Sequence, residues 1–343
     1  MSLLLSEYLP QPELRTRWTP VARAAVPAID AHNHYFFWTR TGRRLADLLE
    51  LMDELNIERM VDIAGIFGED PYESHALTER KHPDRFITVA ALDLADPDDP
   101  GFAGRVERAI GRLRDHGFHG LKVWKTLGLK LRDRSGRLVM PDDERLLPVW
   151  RSAAGAGLPV IMHLADPAAF FKPLDARNER YEELEANPDW HFYGRDYPGY
   201  EDLLAAQERL LARETGTTFI LAHVGASAEN LEYAGNLLDR YPHVHLDLSA
   251  RFGELGRQPY TARDFCLRYQ DRLLYGLDAT PDREAYRLTF RFLETRDEYF
   301  PYSPVEPPPQ GRWRIYGLNL PPPVLAKIYR ENADRLLLRP QRP

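Results

Sequence analysis

Hydrophobic residues fall into two kinds of run along this chain. Short, almost continuously apolar stretches recur at Ala28–His32, Arg59–Ala64, Phe86–Leu92, Gly120–Trp124, Pro159–His163, Thr217–His223, Val244–Leu248 and Leu273–Leu277. Parallel strands covered on both faces read this way. Between them the apolar positions return every three or four residues. In Arg43–Leu55 the stripe is Leu45, Leu48, Leu49 and Met52, and Arg105–His116, Glu144–Ala156, Tyr200–Arg213 and Glu229–Tyr241 repeat the pattern. These segments predict amphipathic helices. Eight strand-like runs, each followed by a helical pattern, predict a (β/α)₈ barrel of the TIM type, an α/β fold in one domain over residues 1–343. A Pro-punctuated lead-in occupies 1–27 and a closing amphipathic helix 323–338. An open doubly wound sheet is the other arrangement for such alternation, but no Gly-rich phosphate fingerprint follows the first strand.

Two connections break the rhythm. The loop after the fifth strand, 166–198, is long, aromatic and charged, and the one after the eighth, 280–323, contains the Pro-rich stretch 301–309. Loops of that length without a pattern are expected to be lids or interface arms, and an arm leaves a homo-oligomer open.

Composition narrows the chemistry. Lys plus Arg number 45 against 52 Asp plus Glu, a net charge of -7, so the chain has no excess of positive charge for a nucleic-acid backbone. Cys266 is the single cysteine, which excludes an internal disulfide and a thiolate metal cluster. Any metal site must therefore draw on the 11 histidines and on carboxylates. The N-terminal apolar stretch is only Leu3–Leu5 before Ser6 and Glu7, and no run approaches the ~20 residues of a membrane span. The expectation is a soluble cytoplasmic protein acting on a small molecule.

Strand ends of a barrel converge on one mouth, so the residues placed there carry the information. The first strand ends Ile29-Asp30-Ala31-His32-Asn33-His34, and a period of two sends His32 and His34 to the same side. The fifth strand ends in His163, the sixth in His223 and the eighth in Asp278. The remaining histidines lie elsewhere: His75, His82 and His116 in or near helical segments, His191 in the long fifth loop, and His119, His243 and His245 near strand beginnings. Five such polar groups behind apolar strands are costly unless each finds a partner, and a shared cation provides one. Asp93 ends the third strand, and Asp247 and Ser249 end the seventh; each could line the mouth or cap a helix.

This order of motifs resembles the amidohydrolase superfamily, and within it the amidohydrolase-related family of hydrolases and non-oxidative decarboxylases. The resemblance runs over nearly the whole chain. It takes in Ile-Asp-Ala-His-Asn-His (29–34), Phe-Ile-Thr-Val-Ala-Ala-Leu-Asp (86–93), Gly-Leu-Lys-Val (120–123), Val-Ile-Met-His (160–163), Ala-His-Val-Gly (222–225), Tyr-Gly-Leu-Asp (275–278) and Lys-Ile-Tyr-Arg-Glu-Asn-Ala-Asp-Arg-Leu (327–336). It implies that His32, His34, His163 and Asp278 hold one divalent ion, zinc first and manganese as the alternative. It implies a catalytic role for Asp278, which shuttles a proton, and for His223, which polarises substrate or water. Lys122 sits loosely where some relatives carry a carboxylated lysine bridging two metals; the other reading is a lysine paired with a carboxylate or a substrate carboxyl group. Lys125 and Arg251 suit an anionic substrate, Trp124 an apolar one, and Phe170, Phe171 and Tyr193 either cover substrate or pack a lid. Leu277 departs from the small hydroxyl residue the family often has before its aspartate, which puts the hydrogen bonding around Asp278 in question. The implied activity is hydrolysis by a metal-activated water; decarboxylation on the same site is the alternative, and a metal-independent or non-catalytic barrel the third.

Overall fold

The computed structural model describes residues 3–4, 7–8, 10–194 and 196–338; Leu5 and Ser6 of the N-terminal stretch, Arg195 of the fifth loop, and the end of the chain from 339 lie outside the described residues. Eight parallel strands follow one another in chain order: β1 (Ala28–Asn33), β2 (Ile57–Ala64), β3 (Phe86–Ala91), β4 (Gly120–Val123), β5 (Val160–Met162), β6 (Phe219–Leu221), β7 (Val244–Asp247) and β8 (Leu273–Leu274). Backbone bonds from Ala31 N to Tyr275 O and from Asp278 N to His32 O, each 2.8 Å, carry the last strand round to the first. The fold is the expected (β/α)₈ barrel.

Alternation along the strands builds two cores. Ile29, Ala31, Val61, Ile63, Ile87, Val89, Ile161, Ile220 and Leu274 fill the interior, and Ala333, Leu336 and Leu337 of the closing segment pack against them. His119, at the start of β4, donates from Nδ1 to Leu337 O at 2.7 Å, which fixes that plug at the strands' N-terminal end. The opposite mouth stays open. Residues of the other parity (Met60, Phe86, Leu121, Val160, Phe219, Leu246) join the helix layer around Trp150, Leu237 and Phe290.

Several expected boundaries shift. β6 stops at Leu221 and β8 at Leu274, so His163, His223 and Asp278 stand just beyond their strands rather than in them. The reason is local: His223 and Val224 both have φ 59° and Asp278 has φ 53°, left-handed values incompatible with a strand. The eighth connection is not patternless. It contains a 12-residue helix, Arg283–Glu294, started by Asp282, whose carboxylate accepts from Glu284 N and Ala285 N. That helix buries Tyr286, Phe290 and Leu293; its many charged positions mask the stripe, and the irregular part is 295–321. The fifth loop likewise holds short turns at Ala168–Phe171, Tyr181–Ala186 and Pro188–Trp190. The closing helix is α-helical only over Pro322–Ala326 and widens into π-type turns over Lys327–Glu331 and Asp334–Leu338. Buried Asn332 lies between those turns and donates from Nδ2 to Gln270 O (2.7 Å) and Leu273 O (2.8 Å). Among the described residues no helix is long and apolar enough to cross a membrane.

Candidate metal centre

The His-x-His segment reaches the barrel interior through a break in its strand. Ile29 and Ala31 already face inward, so regular alternation would turn His32 out towards the helices. The β1–β2 register shifts between Asp30 and Asn33. Asp30 and Asn33 instead face the helix Arg283–Glu294, each within hydrogen-bond reach of Tyr286 Oη. Ala31 and His32 then point inward in succession, as at a β-bulge, and His34 follows two residues on. His32 Nδ1 lies 2.9 Å from Asp247 Oδ2, which places the proton on Nδ1 and the Nε2 lone pair towards the mouth. His34 is oriented in the same way by Ile63 O, 2.9 Å from its Nδ1.

Asp278 is the focus of these rings. Its Oδ1 lies 3.2 Å from His34 Nε2 and 3.6 Å from His32 Nε2, and its Oδ2 lies 3.4 Å from His223 Nε2. His32, His223 and Asp278 bring one ligating atom each within 4.8 Å of one another. The ring of His163 packs edge-on against His223 with centroids 4.4 Å apart. His223 Nδ1 is 2.9 Å from Ser249 O, and its backbone N–H donates to Asp247 Oδ1 at 2.9 Å. Asp247 and Ser249 therefore support two histidines rather than line the mouth. Asp93 is exposed and accepts only from Ala95 N, so it closes a turn.

Charge follows burial. Burial drives His163 down to about 4 against the pull of Asp166, and drives His223 well below its ordinary value, helped by His163 and Arg251. Both are neutral imidazoles at neutral pH. Burial alone would raise the Asp278 carboxyl, but His32 first and then His34 outweigh that and hold it well below the usual carboxylate range.

The family model described as Amidohydrolase matches residues 29–339. The chain belongs to the amidohydrolase family. Similar solved structures include a TIM-barrel protein from Bordetella bronchiseptica (16% identity, TM-score 0.59, covering 92% of this chain and 99% of that one). A dihydroxybenzoic acid decarboxylase from Polaromonas sp. JS666, solved with manganese and the inhibitor 2-nitroresorcinol, is similar at 17% identity and TM-score 0.55 over 91% of this chain and 97% of its own. A probable 2-pyrone-4,6-dicarboxylic acid hydrolase from Acinetobacter baumannii, solved with citric acid, is similar at 12% identity and TM-score 0.51 over 92% and 100%. At these identities the likeness is one of fold. No curated protein sequence matches the chain.

The donor set of this amidohydrolase fits a divalent cation. His34 Nε2 and both ring nitrogens of His163 are buried without a hydrogen-bond partner among the described residues, an arrangement that is costly unless a ligand takes the lone pairs. His163 Nε2 approaches Asp166 Oδ1 at 3.3 Å without hydrogen-bond geometry.

The residues expected to bind substrate separate on inspection. Lys122 is fully buried on β4, with no carboxylate partner among the described residues; its Nζ lies 3.2 Å from His32 Nε2. Burial pushes its ammonium down to about 8 while Asp278 and Asp247 hold it up. Lys125 is already engaged, its Nζ 2.5 Å from Asp166 Oδ2 and 5.6 Å from the Trp124 ring centroid. It positions Asp166 rather than offering a free charge. Arg251 is buried, and the one hydrogen bond of its side chain among the described residues runs from Nη1 to Ala250 O at 2.9 Å. Phe170 and Phe171 are buried lid packing and Tyr193 is largely exposed.

Three features escape the sequence reading. Asp30 stands inside the quoted motif, but nothing in its spacing distinguishes it from a strand residue. Asp166, three residues past His163, could have been found from that spacing. Phe37 and Phe67 stand with their ring centroids 5.3 and 5.4 Å from His34, and Phe67 meets Trp124 at 5.9 Å, an aromatic wall assembled from three loops.

Gly276 marks how closely the two ends of the barrel meet. A Cβ there would come 2.8 Å from His32 Cβ and 3.0 Å from His32 N. Gly276→Ala is expected to cost about 1–3 kcal/mol in a urea melt. A loss below about 0.5 kcal/mol would show that β1 yields freely.

Proposed function

We propose that this amidohydrolase is a metal-dependent hydrolase of a small, carboxylate-bearing molecule, with His32, His34, His163 and Asp278 holding one divalent ion and His223 beside it. The observation that supports this best is the convergence of three imidazoles on Asp278 at 3.2–3.6 Å. Zinc suits the nitrogen-rich donor set and manganese is the alternative. One ion is favoured over two, because Lys122, the residue that would have to bridge a second, is an ammonium below its pKa of about 8. When bound, the ion would supply a Lewis acid that acidifies a water and polarises the scissile carbonyl.

The chain's own groups do the rest. Asp278, held as a carboxylate, takes the proton from the attacking water at one of its oxygens and returns it to the leaving group. His223, pinned through Nδ1 on Ser249 O, presents Nε2 towards the oxygen on which charge develops. Asp247 fixes the tautomer of His32, the second-sphere partner such a ligand requires. Arg251, a buried cation with no carboxylate within ion-pair distance among the described residues, is available to grip the substrate's carboxylate, and Phe37, Phe67 and Trp124 exclude water from one side.

A carboxy-lyase is the second reading. It is favoured by the same cation and aromatic wall, which suit a planar acid losing CO₂ beside a proton donor. Two measurements decide. Protein purified without chelator is expected to carry about one equivalent of zinc or manganese per chain; content well below that, not restored by adding either metal, would overturn both readings. A panel of lactones, amides and aromatic acids is expected to yield titratable acid without CO₂; CO₂ release would replace the hydrolase with the lyase.

A further inference from the structure

The two halves of the candidate centre stand on opposite sides of one seam. His32 and His34 come from β1, Asp278 from the residues just past β8, and the direct backbone bonds between these ends are Ala31 N to Tyr275 O and Asp278 N to His32 O. Two N–H groups at the seam turn to a side chain: that of His32, inside the register shift of β1, and that of Leu277. Both donate to one side-chain atom. Asp30 Oδ1 accepts from His32 N at 3.2 Å and from Leu277 N at 3.1 Å. Its Oδ2 accepts from Asn33 Nδ2 at 2.8 Å and from Tyr286 Oη at 2.6 Å. Asn33 in turn accepts from His34 N through Oδ1 at 2.8 Å. Asp30 is fully buried.

We infer that Asp30 is a positioning residue: its carboxylate holds the break in β1 that turns His32 inward and locks it to the residue preceding Asp278, setting the spacing of the metal-ligating groups across the seam. Each donor fixes one part of that spacing. The bond from His32 N stabilises the extra residue of β1 against slipping back to regular alternation, which would swing the imidazole out of the barrel. The bond from Leu277 N ties the residue preceding Asp278 to the same carboxylate oxygen. Tyr286 anchors the carboxylate from the helix layer and carries the constraint outward to Arg283–Glu294. Gly276 belongs to the same device, since only a residue without a Cβ lets the strands meet this closely. The Asp30 carboxylate is bonded to protein groups at both oxygens.

This inference rests on the metal reading above, and its test separates the two. Chelator-treated protein is titrated with cobalt(II), following the visible d–d absorption, beside a thermal melt of the same sample. Wild type is expected to take up one equivalent with a defined band; if it takes up none, the metal reading fails and this inference with it. Asp30→Asn keeps the shape but presents an N–H₂ where two donors must be accepted. It is expected to stay folded, to bind cobalt roughly 10–100-fold more weakly, and to show a shifted or weakened band. Tyr286→Phe removes a single donor from outside the barrel and should change the band in the same direction with a smaller loss of affinity, which keeps the test open if Asp30→Asn fails to fold. Variants that melt earlier but bind cobalt with wild-type affinity and spectrum would overturn the inference, because a merely structural carboxylate predicts that result.

Discussion

Asp278→Asn is expected to lower turnover by about 10³-fold or more while the protein remains folded. The large loss follows from the position of the carboxylate. It is the one anionic group facing three imidazoles, so the amide removes both a negative ligand and the base that would carry the proton. Folding should survive because the side chain is 19% exposed and packs no core. The backbone is also compatible: at φ 53° asparagine is as well tolerated as aspartate, whereas alanine would add strain of its own. The Asp278 N–H bond to His32 O is untouched by the change. Steady-state kinetics on the substrate identified by the acid-release screen, with metal content and a melt on the same preparation, checks this. Retained turnover would remove Asp278 from the mechanism, and a collapsed melting temperature would mean that its charge balance holds the mouth together.

The barrel was legible because parallel strands leave a strong signal: eight apolar runs separated by helical stripes. The places of His163, His223 and Asp278 at the ends of those runs were legible for the same reason. Four physical features hid the rest. The helix Arg283–Glu294 was hidden by charge, since Arg283, Glu284, Arg287, Arg291 and Glu294 are interleaved with the buried Tyr286, Phe290, Phe292 and Leu293. The inward turn of His32 was reached from a correct period of two between His32 and His34, yet the alternation with Ile29 and Ala31 is broken, and only the register with β2 reveals it. The engagement of Lys125 by Asp166 joins loops 41 residues apart and cannot be read from either one. The left-handed backbone at His223, Val224 and Asp278 has no sequence mark either. Three non-glycine residues held there, one of them β-branched, are the sort of strain that proteins retain where geometry serves a site.

Arg251→Met is expected to raise KM for a carboxylate-bearing substrate by roughly 30–100-fold, the loss of one desolvated charge pair of about 2–3 kcal/mol. Arg251→Lys should fall between, because an ammonium cannot reproduce the two parallel bonds of a guanidinium fork. A buried guanidinium normally meets a carboxylate, whereas among the described residues that of Arg251 hydrogen-bonds only to the carbonyl of Ala250, while nearby Arg180 is claimed by Glu183 and Glu254. A second readout separates binding from packing. Burial is the main cause of the depressed His223 pKa, and Arg251 adds to it by repulsion; removing the cation should raise that pKa towards its ordinary value. Imidazole protonation would then set in at a higher pH, so the acid limb of kcat/KM moves upward in Arg251→Met. A substrate analogue without the carboxylate should show the same shift of the acid limb but no change in KM. If both substrates lose affinity equally, Arg251 supports the loop rather than the ligand, and the carboxylate must be met by Lys122 instead.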